Sequence, residues 1–299
     1  MMVGRLTSLR LLCNAGRRGL ATLAADAAGP VVFQKLSGAD KGVAVYGLNA
    51  SAHRNALSFA MVDAMREVNQ LLREDTKISV VIVHSLVPGI FCAGANLKER
   101  LKMSDDDVAK FVRGLRETLT EIEDLPMPTI AAIEGVALGG GLELALACDI
   151  RVAADTAKLG LVETGRGLIP GAGGTQRLPR VIHPNIAKEL IYTSRIITGK
   201  EAKDLGKKIL LCIANHVVPQ NSDKNAAYEK SLELAREILP NAPIALRCAK
   251  QAINEGVQLG IKDGYEVEQK CYERNIPMKD RIEGMMSFFE KRKPVYKGH

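Results

Sequence analysis

Ala137-Leu138-Gly139-Gly140-Gly141-Leu142-Glu143-Leu144 sets three successive glycines at the head of an apolar helix and places one carboxylate just inside it. Small residues of this kind occur where a backbone must lie close to something. Glu143 has Leu142, Leu144, Ala145 and Leu146 around it, an apolar setting in which a carboxylate needs a purpose. A second stretch of similar character, Phe91-Cys92-Ala93-Gly94-Ala95-Asn96-Leu97-Lys98, follows a Val- and Ile-rich segment at 78–84. A third runs Ile169-Pro170-Gly171-Ala172-Gly173-Gly174-Thr175-Gln176-Arg177-Leu178. Glycine clusters by themselves are often only tight turns. A nucleotide loop is set aside, because Gly171 to Gln176 departs from G-x-G-x-x-G and no G-x-x-x-x-G-K-[ST] occurs.

Working outward, the segments 43–49 and 78–84 read as strands, and a helix lies between them. Ser58 is placed to cap it, and Val62, Met65, Val68 and Leu72 recur on one face. A second helix opens at Ser104, with Asp105, Asp106 and Asp107 against the positive end of its dipole. Val108, Phe111, Val112, Leu115, Leu119 and Ile122 form its apolar stripe, and Pro126 and Pro128 stop it. Short apolar strands follow at 129–133 and 150–153, and helices are expected at 184–193, 225–238, 244–255, 262–274 and 279–291. Strands alternating with helices give an α/β class, for which a doubly wound sheet is the default that pattern alone supplies.

The bulk properties narrow the functional classes. A chain of 299 residues with 46% hydrophobic and 25% charged residues is ordinary globular material, and no long uncharged apolar run suggests a membrane span. Six cysteines, Cys13, Cys92, Cys148, Cys212, Cys248 and Cys271, form no C-x-x-C pair, so neither a metal site nor a disulfide framework is indicated. The net charge of +7 hints at nucleic acid, but Arg5, Arg10, Arg17 and Arg18 supply four of those charges, and without them the balance is +3. Residues 1–25 are acid-free and rich in Arg, Ser, Thr, Leu and Ala up to Ala25, the composition of a mitochondrial transit peptide. The expected division is a matrix-targeting leader over 1–20, a core over 31–240 and a helical C-terminal region over 241–299.

Glu143, Glu163, the stretches 135–153 and 163–180, and Asn275-Ile276-Pro277 through Lys291-Arg292 together resemble the crotonase (enoyl-CoA hydratase/isomerase) family, from about Val43 to the C-terminus. The resemblance implies a spiral of ββα units followed by a helical trimerisation region, a homotrimer or homohexamer, and an acyl-CoA substrate. It implies no metal and no cofactor beyond the CoA of the substrate, no specific nucleic acid, and a mitochondrial setting. The reaction implied is hydration of a 2-enoyl-CoA, short or branched, 3-methylglutaconyl-CoA among the possibilities. By the same resemblance Glu143 and Glu163 are the catalytic carboxylates, and the amides of Ala95 and Gly140 hold the thioester oxygen. Two preorganised N–H donors suit that task, since losing one typically costs ~3 kcal/mol. Gly171 matches a backbone position that orients water. Ala95, Asn96, Leu97, Lys98 and Gly140 match substrate contacts, and Lys291 matches a lysine that reaches CoA phosphate. Asn96 departs from the acidic residue usual at its place, and the stretch 206–215 looks several residues longer than its family counterpart.

Three rival readings follow. An isomerase of this type generally keeps only the second glutamate, so the pair favours hydration. RNA binding through the helix over 60–75, known in one branch of the family, is disfavoured because Arg66 and Arg73 face Asp63, Glu67, Glu74 and Asp75. A catalytically silent assembly module would leave both glutamates without work.

Overall fold

Val80-Val81-Ile82-Val83 is buried at every position in the computed structural model, which describes residues 29–209 and 212–299. The expected leader over 1–20 lies outside the described residues. A strand with no exposed face needs a layer on each side, and successive side chains here do enter two different cores. Val81 and Val83 join the large core with Tyr46, Ala131 and Ile133, while Val80 and Ile82 join a smaller one with Val43, Ile130 and Val152.

Among the described residues ten strands build two sheets. They are β1 (Val31–Lys35), β2 (Val43–Leu48), β3 (Val80–Ser85), β4 (Ile90–Cys92), β5 (Thr129–Ile133), β6 (Val136–Leu138), β7 (Ile150–Ala154), β8 (Lys158–Gly160), β9 (Ile197–Thr198) and β10 (His216–Val218). The larger sheet has the order β1-β2-β3-β5-β7-β10 and the smaller one β4-β6-β8-β9. Apart from the antiparallel pairs β1·β2 and β8·β9, neighbouring strands are parallel. The chain thus gives one strand to the large sheet, the next to the small sheet, and repeats: β3 then β4, β5 then β6, β7 then β8. This is the spiral of ββα units, and it replaces the doubly wound sheet that alternation alone suggests.

Helices fill the turns of the spiral. Phe59–Glu74 (α1) begins where Ser58 Oγ accepts from Met61 N at 3.1 Å, and it buries Met61, Met65, Val68 and Leu72. Leu97–Arg100 (α2) is a single turn, and Asp105–Glu123 (α3) opens with Ser104 Oγ accepting from Asp107 N. Arg66 of α1 donates to Thr118 Oγ1 at 2.9 Å and to Gly114 O at 3.0 Å, both on α3. One of the two cations of that helix is therefore committed to packing rather than free for phosphate. Gly140–Leu146 (α4), Gly174–Val181 (α5), Pro184–Tyr192 (α6) and Gly199–Ile209 (α7) follow. Part of the stretch 206–215 extends α7 as far as Ile209, before β10 begins at His216.

Ala226–Ile238 (α8) lays Ala227 and Ala235 against the outer face of the large sheet. Pro243–Gly256 (α9), Ile261–Asn275 (α10) and Lys279–Phe289 (α11) form the helical C-terminal region, which leaves Ile261, Tyr272, Phe288 and Phe289 exposed.

One close approach sets the position of α4. A Cβ at Gly141 would lie 2.1 Å from the carbonyl oxygen of Cys92 on β4, so only glycine lets this helix seat against the strand. Gly141→Ala should lower the melting temperature, by an amount equivalent to roughly 1–3 kcal/mol or more, because the obstacle is backbone and cannot swing aside. Thermal unfolding followed by circular dichroism checks this, and an unchanged melting temperature would contradict the packing described.

Candidate active site

The two loops singled out by sequence meet. After β4 the chain passes through Gly94 at φ +93°, where a Cβ would lie 2.7 Å from Leu138 O, so the 93–96 loop rests on the segment entering α4. A Cβ at Gly140 would lie 3.8 Å from Ala95 N, which places these two residues side by side. Leu57 pairs with this loop, donating its N–H to Gly94 O and accepting from Asn96 N, and it leaves Ala95 N–H turned away. Among the described residues neither Ala95 N–H nor Gly140 N–H donates to a protein acceptor. Two adjacent free amides are a preorganised seat for one oxygen that gathers negative charge.

Glu143 lies one helical turn beyond Gly140 and is 2% exposed. Its Oε1 accepts from Ala172 N at 2.8 Å and from Gly174 N at 2.7 Å. Burial pushes this carboxyl above its ordinary range, while the two amides and the charges of Arg177 and Arg116 pull it back. The loop providing those amides is held in turn. Arg177 donates to Ala172 O at 2.9 Å and forks onto Glu123 Oε2 at 2.9 and 2.6 Å, and Arg116 Nε donates to Gly171 O at 3.0 Å.

Glu163 arrives from the other side, in a tight helical turn after β8. Its Oε1 would stand 3.0 Å from a Cβ on Gly139, which has φ +53° and no such atom. Its Oε2 is buried and has no hydrogen-bond partner among the described residues. Burial chiefly, and the charge of Glu143 next, push this carboxyl up to about 7. One carboxyl is thus clasped by amide donors, which favour the anion, and the other is left unclasped and able to keep its proton near neutral pH. With an oxygen seat beside them, the pair can deprotonate water and protonate a carbon in one site.

Ala95, Leu97, Gly140 and Gly171 line the same cavity as the two glutamates. Asn96 instead caps α2, its Oδ1 accepting from Glu99 N at 3.4 Å and its Nδ2 donating to Glu99 Oε1 at 2.9 Å. Lys98 is exposed and off the cavity wall, and Lys291 is exposed beyond the end of α11. Gly171 contributes a carbonyl that receives Arg116, while the amides on Glu143 come from Ala172 and Gly174, which sequence reasoning passed over. The available signal was Gly173, at φ +110° immediately before a helix, where successive amides turn inward. Arg100, Arg116 and Arg166 also line the cavity and were not anticipated.

The enoyl-CoA hydratase/isomerase family model matches residues 38–299. Human methylglutaconyl-CoA hydratase, mitochondrial, is 52% identical over 259 residues, covering 87% of this chain and 75% of that protein. Mouse enoyl-CoA hydratase domain-containing protein 2, mitochondrial, is 49% identical over 294 residues, covering 97% of each. Among solved structures, an enoyl-CoA hydratase from Bacillus anthracis is 44% identical with a TM-score of 0.82, covering 90% of this chain and all of that one.

The raised Glu163 carboxyl makes stability fall with pH. In the folded chain it keeps its proton to about 7, whereas unfolded it releases it near 4.5, so the native state binds more protons across that window and loses stability as pH rises through it. Glu163→Gln, which mimics the neutral form, should gain stability over the wild type as pH increases from about 5 to about 8. Urea unfolding of both proteins at the two pH values checks this, and a difference that does not grow with pH would contradict it.

Proposed function

The chain belongs to the enoyl-CoA hydratase/isomerase family, and we propose that it adds water across the 2,3 double bond of a 2-enoyl-CoA inside the mitochondrion. The observation that carries this reading is the unlike setting of two carboxyls over one cavity: Glu143 buried and clasped by two amides, Glu163 half-buried and unclasped. The thioester oxygen takes the seat between Ala95 N–H and Gly140 N–H, and this draws electron density from the double bond. Glu143, as the anion, accepts a proton from water while the water oxygen bonds to C3. Glu163, as the acid, gives its proton to C2 as the enolate collapses. The two carboxyls end with exchanged protonation and reset through solvent.

A one-base isomerase needs no second carboxyl at position 143, so the same pair argues for hydration. A silent assembly module leaves a buried, raised carboxyl without a reason. The CoA moiety belongs to the substrate, with no further cofactor required. Asn96 acts through the shape of α2, and Lys98 and Lys291 stay available to phosphate as exposed cations. The exposed apolar side chains on α10 and α11 support the reading of a homotrimer or homohexamer. The names of the relatives support an enoyl-CoA substrate, short or branched, with 3-methylglutaconyl-CoA as one candidate, and support mitochondrial residence with the leader over 1–20.

Glu143→Gln and Glu163→Gln should each lower hydration of crotonyl-CoA by about 10²- to 10⁴-fold with little change in affinity for a non-reacting acyl-CoA. The double variant should fall well short of the product of the two losses, since both groups serve one addition. Steady-state rates and separate dissociation constants provide the test. Near wild-type hydration by Glu143→Gln alone would favour the one-base isomerase.

A further inference from the structure

The cavity wall carries more positive charge than the reaction explains. Arg100 at the end of α2, Arg116 on α3 and Arg166 beside Glu163 all line it, among the apolar side chains of Val112, Leu115, Leu168 and Ile169. Arg116 and Arg166 have evident local work. Arg116 Nε holds Gly171 O, Arg166 donates to Val162 O at 3.3 Å, and their charges act on Glu143 and Glu163 respectively. Arg100 is different. It is half-buried, it borders the cavity, and its guanidinium has no hydrogen-bond or ion-pair partner among the described residues. The two cavity carboxyls do not satisfy it: Glu143 Oε1 is taken by amides, and Glu163 Oε2 has no partner at all.

A guanidinium carries five N–H donors in a fixed fork, and an apolar wall offers them nothing. A hydrocarbon acyl chain is equally mute. The chemistry that completes such a wall is a planar anion. The position favours the acyl end of the substrate over its nucleotide end. The thioester oxygen is fixed by Ala95 and Gly140, and the reacting carbons by Glu143 and Glu163. Arg116, which lines the same cavity as Arg100, bonds to Gly171, in the very loop whose amides clasp Glu143. A chain extending past the reacting carbons therefore runs toward arginine.

We propose that Arg100, supported by Arg116, reads the far end of the acyl chain and selects 2-enoyl-CoA substrates whose chain ends in a carboxylate. This deepens the hydratase reading and rests on it for the identity of the ligand. CoA phosphate could supply an anion too, so the test must separate the two sources.

Affinities of wild type, Arg100→Met and Arg100→Lys should be measured for glutaryl-CoA, butyryl-CoA and free CoA. The first two are saturated and unreactive and differ by the terminal carboxylate, so the measurement does not depend on turnover. Wild type should hold glutaryl-CoA more tightly than butyryl-CoA. Arg100→Met should lose about 10- to 100-fold in affinity for glutaryl-CoA and far less for butyryl-CoA, with Arg100→Lys in between. Equal losses on all three ligands would reassign Arg100 to CoA phosphate and overturn the proposal. No change on any ligand, or a wild type without preference, would overturn it as well. Wild-type turnover of crotonyl-CoA is followed separately, so that failure of the hydratase reading shows as absent product and failure of the selectivity shows in the affinity ratio. Circular dichroism of each variant confirms that the fold is retained.

Discussion

The bond pair from Ala172 N–H and Gly174 N–H to Glu143 Oε1 is the constraint around which this molecule is arranged. A carboxylate 2% exposed is untenable without compensation, and leaving a buried charge unpaired costs several kcal/mol. Compensation comes from backbone amides, which cannot be supplied by a nearby side chain of the right type. They need a loop held in one conformation. Arg177 therefore clamps Ala172 O and ties it to Glu123, Arg116 clamps Gly171 O, and Gly174 has no room for a Cβ, which would stand 2.9 Å from Glu143 Oε1, Leu161 and Pro170. The far end of the same arrangement is Gly141 against Cys92, which sets the depth of α4 and hence the height of Glu143 above the oxygen seat.

Given that anchor, the two carboxyls divide their work by environment alone. They are the same functional group on elements brought together by the spiral, one on α4 and one after β8. Glu143 receives two amide donors and two nearby guanidinium charges, whereas Glu163 receives burial and the field of Glu143. The second carboxyl is raised partly because the first is anionic. Anchoring Glu143 therefore also favours the protonated form of Glu163, so that in the proposed hydration a single structural feature produces both halves of the acid–base pair.

Long, strongly periodic elements were legible in the sequence. The helix over 60–75, the one opening at Ser104 and the five of the last third appear within a residue or two of the expected bounds, because a stripe repeated over several turns outweighs local ambiguity. Strands β4, β6, β8, β9 and β10 have only two or three residues, too few for any period to show. Four of them, β4, β6, β8 and β9, make up the second sheet, which is why alternation alone points to a doubly wound sheet and only family resemblance points to the spiral. At the site, Glu143 and the glycines before it were legible because a carboxylate and small residues are odd inside an apolar helix. Ala172 and Gly174 were not, since an amide donor leaves no mark on the choice of side chain. Arg100, Arg116 and Arg166 read on paper as ordinary surface charges, and only the tertiary fold turns them toward one cavity.

The site is consequently built from two kinds of material. Its chemistry rests on backbone groups and on small residues that keep them close: Ala95, Gly139, Gly140, Ala172, Gly174. Its outer wall is made largely by longer side chains: Leu97 and Arg100 of α2, Leu115 and Arg116 of α3, and Arg166, Leu168 and Ile169. Replacing Gly94 or Gly141, which seat these groups, displaces main chain, because the nearest atoms there are carbonyl oxygens at 2.7 and 2.1 Å, and a Cβ at Gly139, Gly140 or Gly174 meets the side chain of Glu163, Leu57 or Glu143. Replacing one of the second kind changes charge or volume where solvent and neighbouring side chains can adjust. Substrate preference can therefore shift across this fold without disturbing the addition of water.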